Sequence, residues 1–299
     1  MRKTPDLARG HWRSILVAFG VPTQTLNRKH QPCPFCGGKD RFRFTDKDGE
    51  GKFFCSHCGG GDGFDFLQKL KGWNYQAAAQ EVEKIIGGCQ PDAPRLVISE
   101  QQKRAAMNEL WSRGHNVQPS DPVGRYLIKR CRLNAFPKAL RGVSSLRCVG
   151  SAESFPAMLA KVWAAEGHPI NIHRTYLTPG GDKAPLDDPR RVMPGTLPHG
   201  SAIRLMDPAV HMGIAEGIET ALSASAMFGL PVWAAINAGL LQTWTPPAGV
   251  ERVTVFADND ANYTGQAAAY VLATILAKKN IAVDVRVPDA IGTDWNDVH

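Results

Sequence analysis

The sequence predicts an α/β protein: a small metal-held ribbon, then a mixed α+β middle region, then a C-terminal α/β domain on a parallel sheet. Three observations carry this. Short apolar runs at 212–215, 232–236 and 253–257 alternate with Ala-rich helical segments that start at Gly217 and Gly265. Two Cys-x-x-C pairs stand 18 residues apart near the N-terminus. Charge is segregated: Lys+Arg against Asp+Glu is 15 to 11 over residues 1–100, 16 to 8 over 101–210 and 4 to 9 over 211–299. A basic middle beside an acidic end suits an enzyme that handles a polyanion and binds cations separately.

Residues 6–19 carry Trp12, Ile15, Leu16 and Phe19 at helical spacing, which predicts one amphipathic helix with Arg9 and Arg13 outside. Cys33-Pro-Phe-Cys36 and Cys55-Ser-His-Cys58 follow. Each turn points two thiolates at one ion, and the intervening span suits a hairpin that brings the turns together. Cys33, Cys36, Cys55 and Cys58 would close a tetrahedral site, so a zinc ion there would be structural, and His57 would face solvent or nucleic acid. Cys89, Cys131 and Cys148 have no such spacing and read as plain thiols.

Between the pairs, Arg41-Phe42-Arg43-Phe44 alternates strictly. As a strand it puts both rings on one face, to pack with Phe53 or Phe54, and leaves Arg41, Arg43 and Lys52 for phosphates or bases. Phe64, Phe66, Leu67 and Leu70, then Ala78, Val82, Ile85 and Ile86, predict two helices broken at Gly72. A Pro-containing polar break at 89–94 sets the expected organisation. It runs 1–88 helix and ribbon, 89–100 linker, 101–210 basic region and 211–299 C-terminal domain.

Helices are expected at 99–114 and 121–131, the second with Arg125, Lys129, Arg130 and, just beyond, Arg132. Strands follow at 156–165, 170–177 and 202–205. No apolar run reaches the roughly 18 residues of a membrane span, and the N-terminus lacks a signal segment, so a cytoplasmic address without membrane contact is expected. No G-x-x-x-x-G-K-[ST], G-x-S-x-G or H-E-x-x-H occurs, which argues against a helicase, an α/β-hydrolase and a zincin.

In a parallel sheet, side chains just past the strand ends converge on one crevice. Glu216 follows the first C-terminal strand, Asp258 and Asp260 the third, and Asp294 and Asp297 a fourth at 281–287. So many carboxylates at short range call for a divalent cation.

The order strand–Glu–Gly–helix, strand–Asn–Ala–Gly, strand–Asp–x–Asp–helix over 211–299 resembles the Toprim domain of primases, topoisomerases, a class of nucleases and a recombination mediator. CPFCGGKDRFRF…FFCSHCGGGDGFDFLQ resembles, over about 30–87, the zinc-binding domain of phage, plasmid and satellite-element primases. In that order the modules resemble a DnaG-type or phage- and plasmid-type DNA primase. The resemblance implies ribonucleotide joining on a single-stranded DNA template from nucleoside triphosphates, with Mg²⁺ or Mn²⁺. Glu216, Asp258, Asp260 and Asp294 would be ligands, with Asp294 or Asp297 as the further one and Glu216 alternatively a general base through water. The resemblance is compatible with a separate replicative helicase as a partner and does not decide it. Primases carry an Arg and a Lys lining the groove before this fold, which points to Arg174 and Lys183, with Arg190, Arg191 and Arg204; Arg125 and Arg130 are candidates on a separate ground, the basic face of their helix, which would track a backbone. The alternatives are a non-catalytic recombination mediator, in which ribbon and Toprim fold are nearly adjacent, and a Toprim nuclease, which needs no template-reading ribbon.

Overall fold

The computed structural model describes residues 4–89, 99–148 and 153–298. They fall in two compact units, 1–97 and 98–299. Of the expected linker, residues 90–98 lie outside the described ones.

In the first unit the helix expected over 6–19 is two helices, α1 (Thr4–Ala8) and α2 (Trp12–Ala18). Gly10 lies between them at φ +76°, a left-handed conformation that ends the first helix and that glycine adopts at little cost. The apolar spacing still holds, since Trp12, Ile15 and Leu16 are buried. Four short antiparallel strands follow in order: β1 (Gln31–Cys33), β2 (Gly37–Phe44), β3 (Phe53–Cys55) and β4 (Gly59–Gly61). Helices α3 (Gly63–Lys71) and α4 (Tyr75–Ile85) come next. Asp62 and Asp65 form a reciprocal cap at the start of α3, and Gly72, left-handed, ends it. The alternation on β2 is observed: Phe42 and Phe44 are buried with Phe53 and Phe66, and Arg41 and Arg43 are exposed.

The second unit begins with α5 (Glu100–Ser112), β5 (His115–Asn116), α6 (Pro122–Cys131), β6 (Leu140–Arg147), β7 (Ser154–Trp163), β8 (Pro169–Tyr176), β9 (Arg190–Val192) and β10 (Ala202–Ile203). It continues with β11 (His211–Ala215), α7 (Ile218–Phe228), β12 (Val232–Ala234), α8 (Ala238–Leu241), β13 (Arg252–Phe256), α9 (Thr264–Lys278) and β14 (Ala282–Arg286). One sheet takes them in the order β14-β13-β11-β12-β10-β7-β6-β5, with β8 and β9 branching from β7. The first four are parallel, as expected, and the remaining pairings are antiparallel. Because β10 pairs with both β12 and β7, the sheet runs unbroken through the boundary expected at 210.

Successive residues of β11 face opposite sides, the strand's two-residue period. Ala215 joins the core under α6 and α7 with Leu127, Leu177, Leu222 and Phe256, and Ile214 joins the one under α9 with Val253, Val255, Leu272 and Leu276. This double covering holds the strand ends, and the acids after them, in fixed register.

Candidate active site and metal centre

In the ribbon, Cys33 and Cys55 end strands β1 and β3, and Cys36 and Cys58 complete the two turns. Their four Sγ atoms lie within 4.8 Å of one another. Cys33 and Cys58 are 3.9 Å apart and Cys36 and Cys55 3.8 Å. A tetrahedral zinc with Zn–S of about 2.3 Å sets sulfur–sulfur edges of about 3.8 Å, so the set fits that ion. The N–H groups of Phe35 and Cys58 donate to the Sγ atoms of Cys33 and Cys55, both at 3.4 Å, which steadies thiolate charge. Without an ion the sulfurs share protons unevenly: hydrogen bonding to Cys36, then burial, pushes Cys58 up to about 12. Four sulfurs leave no open position, so this centre is structural.

The ribbon also carries an exposed face on which basic and aromatic side chains meet. Arg43 stands directly across from Phe54 on β3, its guanidinium 5.7 Å from the ring centroid, and Phe54 is 46% exposed. An exposed ring beside a guanidinium is a stacking platform for a base. Lys52 is paired with Glu50 at 2.7 Å.

The second unit carries the acids. Glu216 follows β11, Asp258 and Asp260 follow β13, and Asp294 stands in the loop after β14, all half-buried. Asp258 is the centre of the group. Burial, then Glu216, Asp294 and Asp260, push its carboxyl up to about 7, against the opposing pull of Arg190. Glu216 is likewise raised by burial and by Asp260, and Asp294 by burial and Asp297. Oδ1 of Asp258 is buried with no hydrogen-bond partner. A set of mutually repelling half-buried carboxylates, with one oxygen lacking any partner, is chemically matched to a hard divalent cation. Among the described residues, the cysteines form the one group of three or more ligand side chains already drawn within 4.8 Å. The acids are not drawn that close.

Local chemistry explains the placement. Gly265, in the first turn of α9, donates its N–H to Asp260 Oδ2 at 2.8 Å, and a Cβ there would stand 2.9 Å from the Asp258 carbonyl oxygen, so only glycine fits. Asn259, between the two aspartates, ties the crests of β13 and β14: its Nδ2 donates to the Pro288 carbonyl at 2.7 Å and its N–H to that of Thr293 at 3.0 Å. Asn237 accepts from the Leu240 N–H and caps α8. Ile236, just before it, is held at φ +77°, a strained position for a β-branched residue, with its N–H bonded to the Glu216 carbonyl.

Glu219 is a buried acid that the sequence reading did not single out. It lies in the first turn of α7, where an acid ordinarily reads as a favourable dipole partner. Here it is 6% exposed, accepts from the Tyr126 hydroxyl and lies 4.0 Å from Lys183 Nζ. Burial opposes its ionisation, but Lys183 and the Tyr126 hydrogen bond hold its carboxyl below the usual range. His173, buried nearby, is depressed to about 4 by burial, against the pull of Glu219.

The expected basic residues divide. Arg190 on β9 reaches the acids electrostatically, lowering Glu216, Glu219 and Asp258. Lys183 meets Glu219, and Arg130 lies 3.8 Å from Asp297. Arg125, exposed, donates to the carbonyls of Ser120 and Pro179, and Arg191 to that of Asp188. Arg174 sits on the face of β8 that also carries Ile172 and Tyr176, is 7% exposed, and donates to Val192 O and the Tyr176 hydroxyl, while its Nε is buried without a partner. Arg204 too is turned to the protein, stacked over Trp163 and Trp233 and donating to the Ala164 carbonyl. It lines a cleft of about 820 Å³ with Phe136, Met206 and Leu222, which contains none of the acids.

Comparison with known families agrees with this geometry. Residues 28–64 match the zinc-binding domain of primase-helicase, residues 211–299 match the Toprim domain, and residues 101–205 match a domain of unknown function, DUF7146. The chain joins a primase-type zinc ribbon to a Toprim domain. Its Toprim domain is β11 to the end of the described chain, and the matched middle region supplies β5 to β10, which extend the Toprim sheet. Among solved structures, the primase fragment of the bacteriophage T7 primase-helicase aligns at 14% identity over 91% of this chain and 93% of that one, with a TM-score of 0.42. The Aquifex aeolicus primase, comprising zinc-binding and RNA polymerase domains, aligns at 17% over 99% and 82%, with a TM-score of 0.35. A DnaG primase catalytic domain bound to single-stranded DNA aligns at 13% over 68% and 71%, with a TM-score of 0.36. No helix among the described residues is long and apolar enough to cross a membrane.

Proposed function

We propose that the protein is a DNA primase that joins ribonucleotides on a single-stranded DNA template. The observation that carries this reading is the Asp258 cluster of a Toprim domain in one chain with a ribbon of the primase-helicase kind. A cation at Asp258, Asp260 and Asp294, with Glu216, would be Mg²⁺ or Mn²⁺; when bound it offsets charge on the transferring phosphate and lowers the barrier to deprotonating the attacking hydroxyl. The protein's own residues do the rest. Glu216, raised by burial and by Asp260, is the acid suited to act as general base through water. Arg190, beside Glu216 and Asp258, and Lys183, beside Glu219, supply positive charge for the triphosphate of an incoming nucleotide. Arg41 and Arg43 with the exposed Phe54 ring hold template by phosphate contact and stacking. A replicative helicase would be the partner that exposes such template.

The test is incubation with single-stranded DNA, nucleoside triphosphates and Mg²⁺ or Mn²⁺. Short new oligomers support the primase. A shortened template would indicate a Toprim nuclease, and retention of unchanged DNA a mediator.

A further inference from the structure

The loop that carries Asp294 and Asp297 is fastened to the protein by the residue between them. Asn296 is 6% exposed. Its Nδ2 donates to the main-chain carbonyl of Arg130, 166 residues earlier, and to Ser223 Oγ at 3.0 Å. The first acceptor lies in the last turn of α6, where helix carbonyls have no partner within the helix, and the second is on α7. An amide is suited to this position because its NH₂ supplies two donors from one atom, whereas an oxygen turned to the Arg130 carbonyl would repel it.

The rest of the loop is built around that anchor. The Asn296 N–H donates to Asp294 Oδ1 at 2.6 Å, the Asp297 N–H to the Asp294 carbonyl at 3.0 Å, and the Asp294 N–H to Asp297 Oδ2 at 3.2 Å. Trp295 packs its ring against Phe228 and Phe256, at 5.2 and 5.9 Å, and donates to the Arg286 carbonyl. Asp294 can affect Asp258 only while this turn stays seated.

We propose that Asn296 is a positioning residue, whose side-chain amide locks the 294–297 turn onto α6 and α7 and so holds Asp294 beside Asp258 for the cation. This rests on reading Glu216, Asp258, Asp260 and Asp294 as the cation cluster. Groups that orient metal ligands from outside the ligand set typically contribute about 10- to 100-fold in metal affinity.

The experiment uses the full chain with its zinc in place and has two readouts. One is Mn²⁺ affinity, from the free Mn²⁺ signal in electron paramagnetic resonance. The other is hydrogen exchange of the amides at 294–297 in magnesium-free buffer. Asn296→Asp keeps the shape and removes the donors; it is expected to weaken Mn²⁺ by about 10-fold or more and to speed exchange in that turn. Ser223→Ala removes one acceptor, leaves the Arg130 contact, and is expected to show the same two changes to a smaller degree. Wild-type Mn²⁺ affinity in both variants overturns the proposal, even if the melting temperature falls. A wild-type protein that takes up no Mn²⁺ would instead remove the cation reading on which the proposal stands.

Discussion

The hydroxyl of Tyr126 on α6 donates to the carboxylate of Glu219 on α7, joining two buried residues 93 positions apart in the sequence. Tyr126 is 1% exposed and Glu219 6%, so neither group has water as an alternative partner. Burial and then the Glu219 charge raise the phenol, which keeps it a donor at every pH of interest. A hydrogen bond to a buried charge is worth about 1.5–3 kcal/mol. Tyr126→Phe should therefore lower the unfolding free energy of the second unit by about that much in a urea titration. Loss of less than about 0.5 kcal/mol would mean that Glu219 finds another donor.

The ribbon depends on its ion in a different way. The two cysteine turns at the ends of its short strands meet at the four sulfurs, so binding of the ion there is coupled to folding of the ribbon. Cys36→Ser or Cys55→Ser should lose one equivalent of zinc by elemental analysis and unfold residues 33–64. The 98–299 unit should keep its slow hydrogen exchange. Zinc-free wild-type protein with a folded ribbon would contradict the structural role.

Much of this was legible in the sequence because it depends on local pattern. The Cys spacing, the Arg-Phe alternation and the acids directly after apolar runs each follow from turns or strand periodicity, and all are found where that pattern puts them. What was hidden depends on pairing across long separations. Strand β6, Leu140–Arg147, contains Gly142, Ser144 and Ser145 and shows little apolar alternation; it is a strand because β7 pairs with it. Arg174 and Arg204 could not be separated from Arg190 by composition, since their orientation is set by β8 and by two tryptophans. Glu219 and Asn296 each bond to α6, which lies far from them in the sequence and meets them in space alone.

The acid cluster predicts a pH dependence of stability. Asp258 is raised from 3.8 to about 7 in the folded protein. Between those values the folded state holds a proton that the unfolded chain has released, so this group's contribution makes stability fall as pH rises through the window, in full above about 7. In magnesium-free buffer, Asp258→Asn should be more stable than wild type at pH 8, by about 1–3 kcal/mol, and nearly equal to it below pH about 4. Added Mg²⁺ should narrow the difference at pH 8 by stabilising the wild type. Equal melting temperatures of the two proteins at pH 8 without Mg²⁺ would show that the carboxylates do not repel as placed.

Template binding by the ribbon should respond to salt. If Arg41 and Arg43 each meet one phosphate, replacing both with Gln should reduce the slope of log affinity against log salt by about 1.4 on single-stranded DNA. Phe54→Ala should weaken binding without changing that slope, because stacking releases no counterions. Fluorescence anisotropy over a salt series separates the two. An unchanged slope in the double variant would place the nucleic acid on another surface.

Primer synthesis at Asp258 is the centre of the account, and one comparison measures it directly. Wild type and Asp258→Asn are given the same single-stranded DNA, α-labelled ribonucleoside triphosphates and Mg²⁺, and the products are resolved by length. Asp258 provides the buried unpartnered oxygen among the acids, and Asn keeps its shape without its charge. Wild type is predicted to make short labelled oligomers. Asp258→Asn should make none at ordinary Mg²⁺ while still binding the DNA. Equal oligomer yields from the two proteins, or no oligomers from a wild type that holds its zinc and binds template, would contradict the account.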